Sequence, residues 1–119
     1  AQSYLDLSQQ PVDAGRHALT IRMISAGQPH KAVPITGALA VSCGAAVPGS
    51  IIADLIAASD CDVARLPIGT PSGVVTVGTA LDAQSDASSA IPEVERAFLY
   101  RPQRRLMEGV VCVPSAIEV

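Results

Sequence analysis

The residues best suited to chemistry lie in one polar stretch that runs into an uncharged segment. A Thr at a helix start can accept a hydrogen bond from the free amides of the first turn. Those amides and the helix dipole also favour anions, and a nearby Lys or His adds positive charge. The pattern predicts an anion-binding helix N-terminus or, alternatively, a capped helix that binds nothing. The residues concerned are Ser25, Gly27, Gln28, His30, Lys31, Thr36, Gly37 and Ala38.

Each side chain of this stretch has a structural interpretation beside the chemical one. His30, which follows Pro29, either fixes the loop by bonding to the backbone or contacts a ligand. Lys31, the only lysine of the chain, is a solvated side chain, an anion ligand or, if it is buried, a base. The catalytic residue is therefore left open, with Lys31 and His30 as candidates. The pattern predicts no metal site.

The elements that position this stretch follow from periodicity. Leu19, Ile21 and Met23 form one apolar face, opposite Thr20, Arg22 and Ile24. This alternation predicts a strand over 19–24, which delivers Ser25 to the loop. The segment after it carries no charge, which predicts a helix over 36–47 that is buried on all sides. A second short helix is predicted over 50–58, with Ser50 as its cap.

The rest of the chain predicts strands and loops. Strands are expected over 63–68 and 74–79 as a hairpin, then over 95–101 and 104–113, with loops over 1–15 and 82–92. Ser72 is interpreted as a turn residue, and Arg104 and Arg105 either face solvent or clamp a carboxylate. The fold class is α+β: one domain, 1–119, with an antiparallel or mixed sheet wrapped around a buried apolar helix.

Composition excludes several classes of function. Of the 119 residues, 49% are hydrophobic and 16% are charged, which argues against disorder. The net charge of −3, with only 3% aromatic residues, argues against a nucleic-acid partner. No apolar run is long enough for a membrane span, and no signal peptide is predicted. The widely spaced Cys43, Cys61 and Cys112 are expected to be buried, reduced thiols of a cytoplasmic protein.

The ordered motifs resemble those of the PrpF-type isomerases, which include 2-methylaconitate cis–trans isomerase and 4-oxalomesaconate tautomerase. The resemblance is carried by Ile21-Arg22-Met23-Ile24-Ser25-Ala26-Gly27-Gln28-Pro29-His30-Lys31-Ala32, then Thr36-Gly37-Ala38, Ala46-Val47-Pro48-Gly49-Ser50, Pro67-Ile68-Gly69-Thr70-Pro71-Ser72-Gly73, and Arg101 with Arg104-Arg105-Leu106-Met107-Glu108-Gly109-Val110. Tyr4 resembles a residue that opens the family's second lobe.

The resemblance implies a fold and a reaction. PrpF-type proteins are similar to diaminopimelate epimerase, with two lobes, each a sheet around a central helix, and the active site between them. This chain resembles the second, C-terminal lobe only. The family reaction is a proton shift along an unsaturated polycarboxylate without metal or organic cofactor. The first lobe's Asn-Cys-Gly-Asn stretch does not occur in this sequence, and Cys43, within the predicted helix, does not replace it.

Three functions remain open at this point. The chain is either a carboxylate-binding lobe of an isomerase that needs a first lobe, a stand-alone module for a small carboxylate or a protein, or a non-catalytic remnant that self-associates. The expected partners are a small di- or tricarboxylate and either a first-lobe partner or a second copy in a homodimer. All three interpretations predict self-association, because a lobe that packs against another exposes an apolar surface, which a homodimer would cover most simply.

Overall fold

A computed structural model describes residues 1–83 and 91–112. Residues 84–90 of the predicted loop 82–92, and Val113 of the predicted last strand, lie outside the described part. In chain order the elements are strands β1 (Tyr4–Leu5) and β2 (Pro11–Val12), a 3-10 turn at Ala14–Arg16, strands β3 (Leu19–Thr20), β4 (Ile24–Ser25) and β5 (Gln28–Pro29), helices α1 (Ile35–Ala45) and α2 (Ile51–Ile56), a 3-10 turn at Val63–Arg65, and strands β6 (Leu66–Thr70), β7 (Gly73–Leu81) and β8 (Val94–Tyr100).

The core lies between a four-stranded mixed sheet and α1. The strand order is β3-β6-β7-β8, with β3 parallel to β6 and the other pairs antiparallel. Leu66, Ile68 and Val77 are completely buried in this sheet. The helix packs on β7 and β8. The predicted α+β fold, with a mixed sheet against an apolar helix, is therefore confirmed.

The prediction that α1 is buried on all sides is wrong. Ala38, Ser42 and Ala45 recur at helical spacing and form the buried face. Ile35 is 50% exposed and Ala40 is also exposed, because the sheet covers only one side of the helix in the described chain. The helix also ends two residues earlier than the predicted bound of 47.

The predicted strand over 19–24 is broken into two pieces. β3 pairs with β6 through Leu19 and Thr20, and the amide of Ile21 donates to the carbonyl of Gly69 at 2.9 Å. β6 then ends at Thr70, so the chain beyond Ile21 has no neighbouring strand with which to continue the ladder. The alternation was nevertheless informative, since Leu19 is buried and Ile21 half-buried, whereas Thr20 and Arg22 are exposed.

The predicted hairpin is confirmed, with different bounds. β6 and β7 pair from Leu66↔Val77 to Thr70↔Gly73, which leaves Pro71 and Ser72 as the turn. The first strand begins later than residue 63, because Asp62 caps a 3-10 turn by accepting a hydrogen bond from the Ala64 amide at 2.9 Å. The predicted strand over 95–101 is confirmed as β8, shifted by one residue.

The second helix agrees with its prediction, whereas the predicted last strand and the predicted opening loop do not. The second helix is confirmed as α2, and Ser50 caps it as predicted. The strand expected over 104–113 is wrong for its described part, because residues 104–112 are exposed and form no strand. The opening segment, 1–15, was expected to be loop, yet β1 and β2 pair antiparallel within it.

Candidate functional site

The polar stretch begins with a tight hairpin. β4 and β5 pair through Ile24↔Pro29 and Ser25↔Gln28. The two residues between them, Ala26 and Gly27, have φ of 49° and 74°. Positive φ at both central residues is the signature of a type I′ turn, which explains the glycine at the second position. The turn brings Ser25 and Gln28 opposite each other on the protein surface.

Four of the predicted site residues line one open hollow. Ser25, Gln28, His30 and Lys31 border a surface hollow of about 500 Å³, together with Pro29 and Ala32. The His30 amide donates to the Met23 carbonyl at 2.8 Å, which extends the hairpin by one bond. The side chains of His30 and Lys31 are exposed, and neither forms a hydrogen bond or ion pair with any described residue. Within that part of the chain, both are therefore free to contact a ligand.

The start of α1 differs from the prediction that Thr36 is the N-cap. Pro34 occupies the N-cap, with φ −56° and ψ 145°, and no side chain caps the helix. Thr36 is the second residue of the first turn, and its side chain is exposed. Proline is tolerated here because the first turn does not need its missing amide. The preset φ of Pro34 displaces the helix start by one residue from the predicted bound.

This shift changes which amides can bind an anion. The amide of Ala38 already donates to the Pro34 carbonyl at 3.0 Å, so it is not free as the sequence suggested. The amides of Ile35, Thr36 and Gly37 have no hydrogen-bond partner among the described residues. An anion at this terminus would therefore meet those three amides and not that of Ala38.

Gly37 and Ala38 serve mainly to pack the helix start. A Cβ on Gly37 would lie 2.7 Å from Cε of Met23, the flexible end of that side chain, so the helix start lies against the Met23 side chain. Ala38 is only 2% exposed. It lines a second, smaller cavity of about 230 Å³ beneath the helix start, which the sequence did not predict. The other lining residues are Ala32, Val33, Ile35, Thr70, Ser72, Val74, Val75, Leu99, Tyr100, Arg101 and Pro102.

The second histidine is a structural residue. His17 is 4% exposed, and its Nδ1 lies 3.2 Å from the Asp13 carbonyl, which can only accept. Nδ1 therefore carries a proton, and Nε2 lies 3.0 Å from the Thr20 hydroxyl. The ring also meets that of Tyr4 edge-on, with 5.5 Å between centroids. Both nitrogens are used within the fold, so His17 has no free atom for a ligand.

The described residues contain neither a cluster of metal ligands nor a membrane-spanning helix. In residues 1–83 and 91–112, no group of three or more His, Cys, Asp or Glu side chains has the arrangement of a metal site. The same residues contain no helix that is long and apolar enough to cross a membrane. Cys43 and Cys61 are half-buried, and Cys112 is exposed. The expectation that all three thiols are buried is therefore wrong for Cys112, which lies in the exposed segment after β8.

Together these features define a class of protein: an α+β fold in which a polar surface loop leads directly into the start of the helix that packs on the sheet. The family model described as "PrpF protein" matches residues 1–114. The chain therefore belongs to the PrpF family, as the motifs predicted.

Curated relatives agree with this assignment. The chain is 34% identical over 114 residues to "2-methyl-aconitate isomerase" of Shewanella oneidensis, covering 96% of this chain and 27% of the relative. It is 35% identical over 115 residues to the protein of the same name from Cupriavidus necator, covering 97% of this chain and 28% of that one. The chain thus spans about a quarter of the length of these relatives.

A solved structure supports the fold. The "Crystal Structure of Methylitaconate-delta-isomerase" superposes with a TM-score of 0.62 at 26% identity, covering 91% of this chain and 26% of that one. The fold is thus the diaminopimelate epimerase-like fold of PrpF-type isomerases, as predicted.

Proposed function

We propose that this chain is a lobe of a cofactor-independent isomerase or tautomerase that shifts a proton along small unsaturated polycarboxylates. One observation carries the proposal: His30 and Lys31, whose side chains have no partner among the described residues, occur in the same chain segment as a helix start with three amides that are likewise without a partner there. Two carboxylate-isomerising relatives, each covered over about a quarter of its length, support this reaction class.

The proton shift requires a base and a way to stabilise the charge left behind. Removal of a proton next to a carboxylate gives an enolate-like anion, which backbone amides stabilise well. The free amides of Ile35, Thr36 and Gly37 are suited to this role. Ser25, Gln28 and Lys31 would hold a second carboxylate through hydrogen bonds and charge. The base is Lys31, His30 or a group outside this chain.

Catalysis by this lobe alone is not part of the proposal. The hollow is open and its cationic side chains are exposed, so water screens every charge in it. Enzymes of this type exclude water while charge develops. We propose that a first lobe, from the same or another polypeptide, covers the hollow and completes the site. A small di- or tricarboxylate is the proposed ligand, and the reducing cytoplasm is the proposed location.

The exposed apolar surface favours a second candidate function, that of a binding or self-associating module. Ile51 and Leu55 are one helical turn apart on α2 and are 79% and 61% exposed, whereas Ile52 and Ile56 face inward. An exposed apolar pair of this kind is typical of an interface. If the partner is a second copy, sedimentation at micromolar concentration will show a dimer that Leu55→Lys converts to monomer. A clean monomer of the unchanged chain would exclude self-association.

A chimera tests the catalytic proposal. The segment of the Shewanella oneidensis relative that matches this chain would be replaced by residues 1–114, so that the relative supplies the rest of the protein. Isomerisation of 2-methylaconitate and uptake of solvent deuterium would be followed by NMR. We expect activity in the chimera and none in the chain alone.

Variants of the chimera identify the residues involved. Lys31→Ala and His30→Gln should lower kcat/KM by at least about tenfold if they contact substrate or the proton. Arg16→Ala removes an exposed cation outside the hollow and serves as the charge-matched control. A folded chimera without activity, or one that tolerates both site variants as well as the control, would contradict the proposal.

A further inference from the structure

The turn between β6 and β7 is joined directly to the loop that carries the candidate site. The Ser72 hydroxyl donates a hydrogen bond to the backbone carbonyl of Lys31 at 2.7 Å, although the two residues are 41 positions apart in the chain. The sequence alone indicates only a turn residue at Ser72. We propose that Ser72 is a positioning residue, which holds the Lys31 loop in place for substrate; this role rests on the proposed function.

The turn itself is firmly held. The Thr70 hydroxyl donates to the Gly73 carbonyl at 2.9 Å and accepts from the Ser72 amide at 3.3 Å, which closes the turn internally. From the other side, the Tyr4 hydroxyl donates to the Thr70 carbonyl at 2.8 Å. The Leu7 amide donates to the Pro71 carbonyl, also at 2.8 Å. Ser72 is therefore presented from a part of the fold that has several independent attachments.

The loop has few attachments of its own. Its preceding bond is from the His30 amide to Met23, and its following bond is the first of α1, from Ala38 to Pro34. Among the described residues, the bond from Ser72 is the only hydrogen bond made by residues 31–33. Val33 adds an apolar contact with the core. Within the described chain, the Ser72 hydroxyl thus provides the one hydrogen bond that holds the Lys31 backbone directly.

The hydrogen bond from Ser72 to Lys31 matters for chemistry because it lies between the candidate hollow and the start of α1. The Lys31 side chain borders the open hollow, while the chain continues through Pro34 into the free amides of α1. The hydrogen bond at the Lys31 carbonyl therefore fixes the Lys31 side chain and the first amides of α1 relative to the sheet. A misplacement of about 1 Å can lower a rate by about a hundredfold, so loss of this hydrogen bond should affect turnover even when the fold persists.

Hydrogen–deuterium exchange on the full chain tests the Ser72–Lys31 hydrogen bond independently of any activity. Ser72→Val and Ser72→Thr have the same shape and differ in the hydroxyl, and Ser8→Ala removes an exposed hydroxyl that bonds no described residue. We expect the His30 amide, which donates to the Met23 carbonyl and directly precedes Lys31, to exchange about fivefold faster in Ser72→Val, the effect of one lost hydrogen bond. Ser72→Thr and Ser8→Ala should exchange as the unchanged chain does, and residues 74–80 should be unaffected in all three.

The chimera tests the positioning role. Ser72→Val should lower kcat/KM by about tenfold or more, and Ser72→Thr should restore most of it. If the parent chimera is inactive, the proposed function fails, while the exchange data still decide whether the Ser72–Lys31 hydrogen bond exists. Equal exchange in the Val and Thr variants would overturn that hydrogen bond. Faster exchange with unchanged kcat/KM in an active chimera would overturn the positioning role.

Discussion

The hydroxyl groups of Ser42 and Thr79 lie 2.7 Å apart and join α1 to β7 inside the core. The two residues are 0% and 2% exposed. Thr79 Oγ1 also lies 4.0 Å from the sulfur of Cys43, which is at most a weak partner. Buried hydroxyls are stable only when they are paired, so this contact gives a polar fixed point to an otherwise apolar helix–sheet interface.

Removal of one member of this pair should destabilise the protein. Ser42→Ala leaves the Thr79 hydroxyl buried, with the Cys43 sulfur as its only side-chain partner among the described residues. We expect a loss of about 1–3 kcal/mol in the free energy of unfolding, the usual cost of an unsatisfied buried group. Urea denaturation with and without the substitution measures it.

The double variant shows whether the pair is the cause. Ser42→Ala combined with Thr79→Val removes both hydroxyls, and its cost should be smaller than the sum of the single costs. Ser8→Ala, on the surface, should change stability by less than about 0.5 kcal/mol. Strictly additive single costs would show that the two hydroxyls do not interact.

Gly78 is the most crowded glycine of the described chain. A Cβ at this position would collide with the Ala64 carbonyl oxygen and Cε2 of Phe98, and would lie 2.7 Å from Cζ of Phe98. Gly78→Ala must therefore displace backbone or an aromatic ring, and we expect a cost of about 1–3 kcal/mol. Thermal unfolding measures this as a lowered Tm.

Gly15→Ala is the matched control for Gly78. Nothing lies within 4 Å of a Cβ at Gly15, and its φ is not positive. The same chemical change there should be neutral or stabilise by up to about 1 kcal/mol, because alanine restricts the unfolded chain. Equal effects at the two positions would argue against the close approach of Ala64 and Phe98.

The two helix starts should respond differently to loss of a hydroxyl. The Ser50 hydroxyl accepts from the Ala53 amide at 3.0 Å and donates to the Gly44 carbonyl at 2.6 Å. Ser50→Ala should therefore cost about 1 kcal/mol. Thr36 makes no capping bond, so Thr36→Val should change stability by less than about 0.5 kcal/mol. A larger loss at Thr36 than at Ser50 in urea denaturation would restore the sequence-based N-cap at Thr36.

The sequence predicted those elements whose signals are local. Ser50 lies three residues before Ala53, and the Pro71-Ser72 turn lies directly between its two strands, so both were found. The broken strand was not, because Ile21 loses its ladder where β6 ends, nearly fifty positions away. The polar Ser42–Thr79 and Ser72–Lys31 contacts also join distant segments, at 37 and 41 positions.

Among the predicted site residues, too, those that are neighbours in the chain were predicted better than those that depend on distant segments. Ser25, Gln28, His30 and Lys31 are neighbours in the chain, and the structure places them around one hollow. Thr36 was assigned the N-cap from its side chain, but the fixed φ of Pro34 begins the helix earlier. Residues of the second cavity, such as Val75 and Leu99, come from strands whose register only the folded sheet defines.

Anion binding at the start of α1 should depend on a backbone amide and not on the Thr36 hydroxyl. Ile35→Pro removes the first free amide at the helix position that proline favours, and Pro34 already has the extended ψ of 145° that a following proline requires. Ile35→Ala removes the same side chain and keeps the amide. The pair therefore isolates one hydrogen-bond donor.

A tricarboxylate such as aconitate is the ligand for this test, and the readout is the shift in Tm. A ligand at a hundredfold excess over its Kd should stabilise the chain by about 2.7 kcal/mol. Loss of a hydrogen bond to a charged group costs about 1.5–3 kcal/mol, so Ile35→Pro should weaken binding at least about tenfold, while Ile35→Ala and Thr36→Val bind normally. Lys31→Ala should also weaken binding. If Ile35→Pro and Ile35→Ala bind equally well, the amides of α1 are not the anion site, and the hollow around Lys31 must bind carboxylates without them.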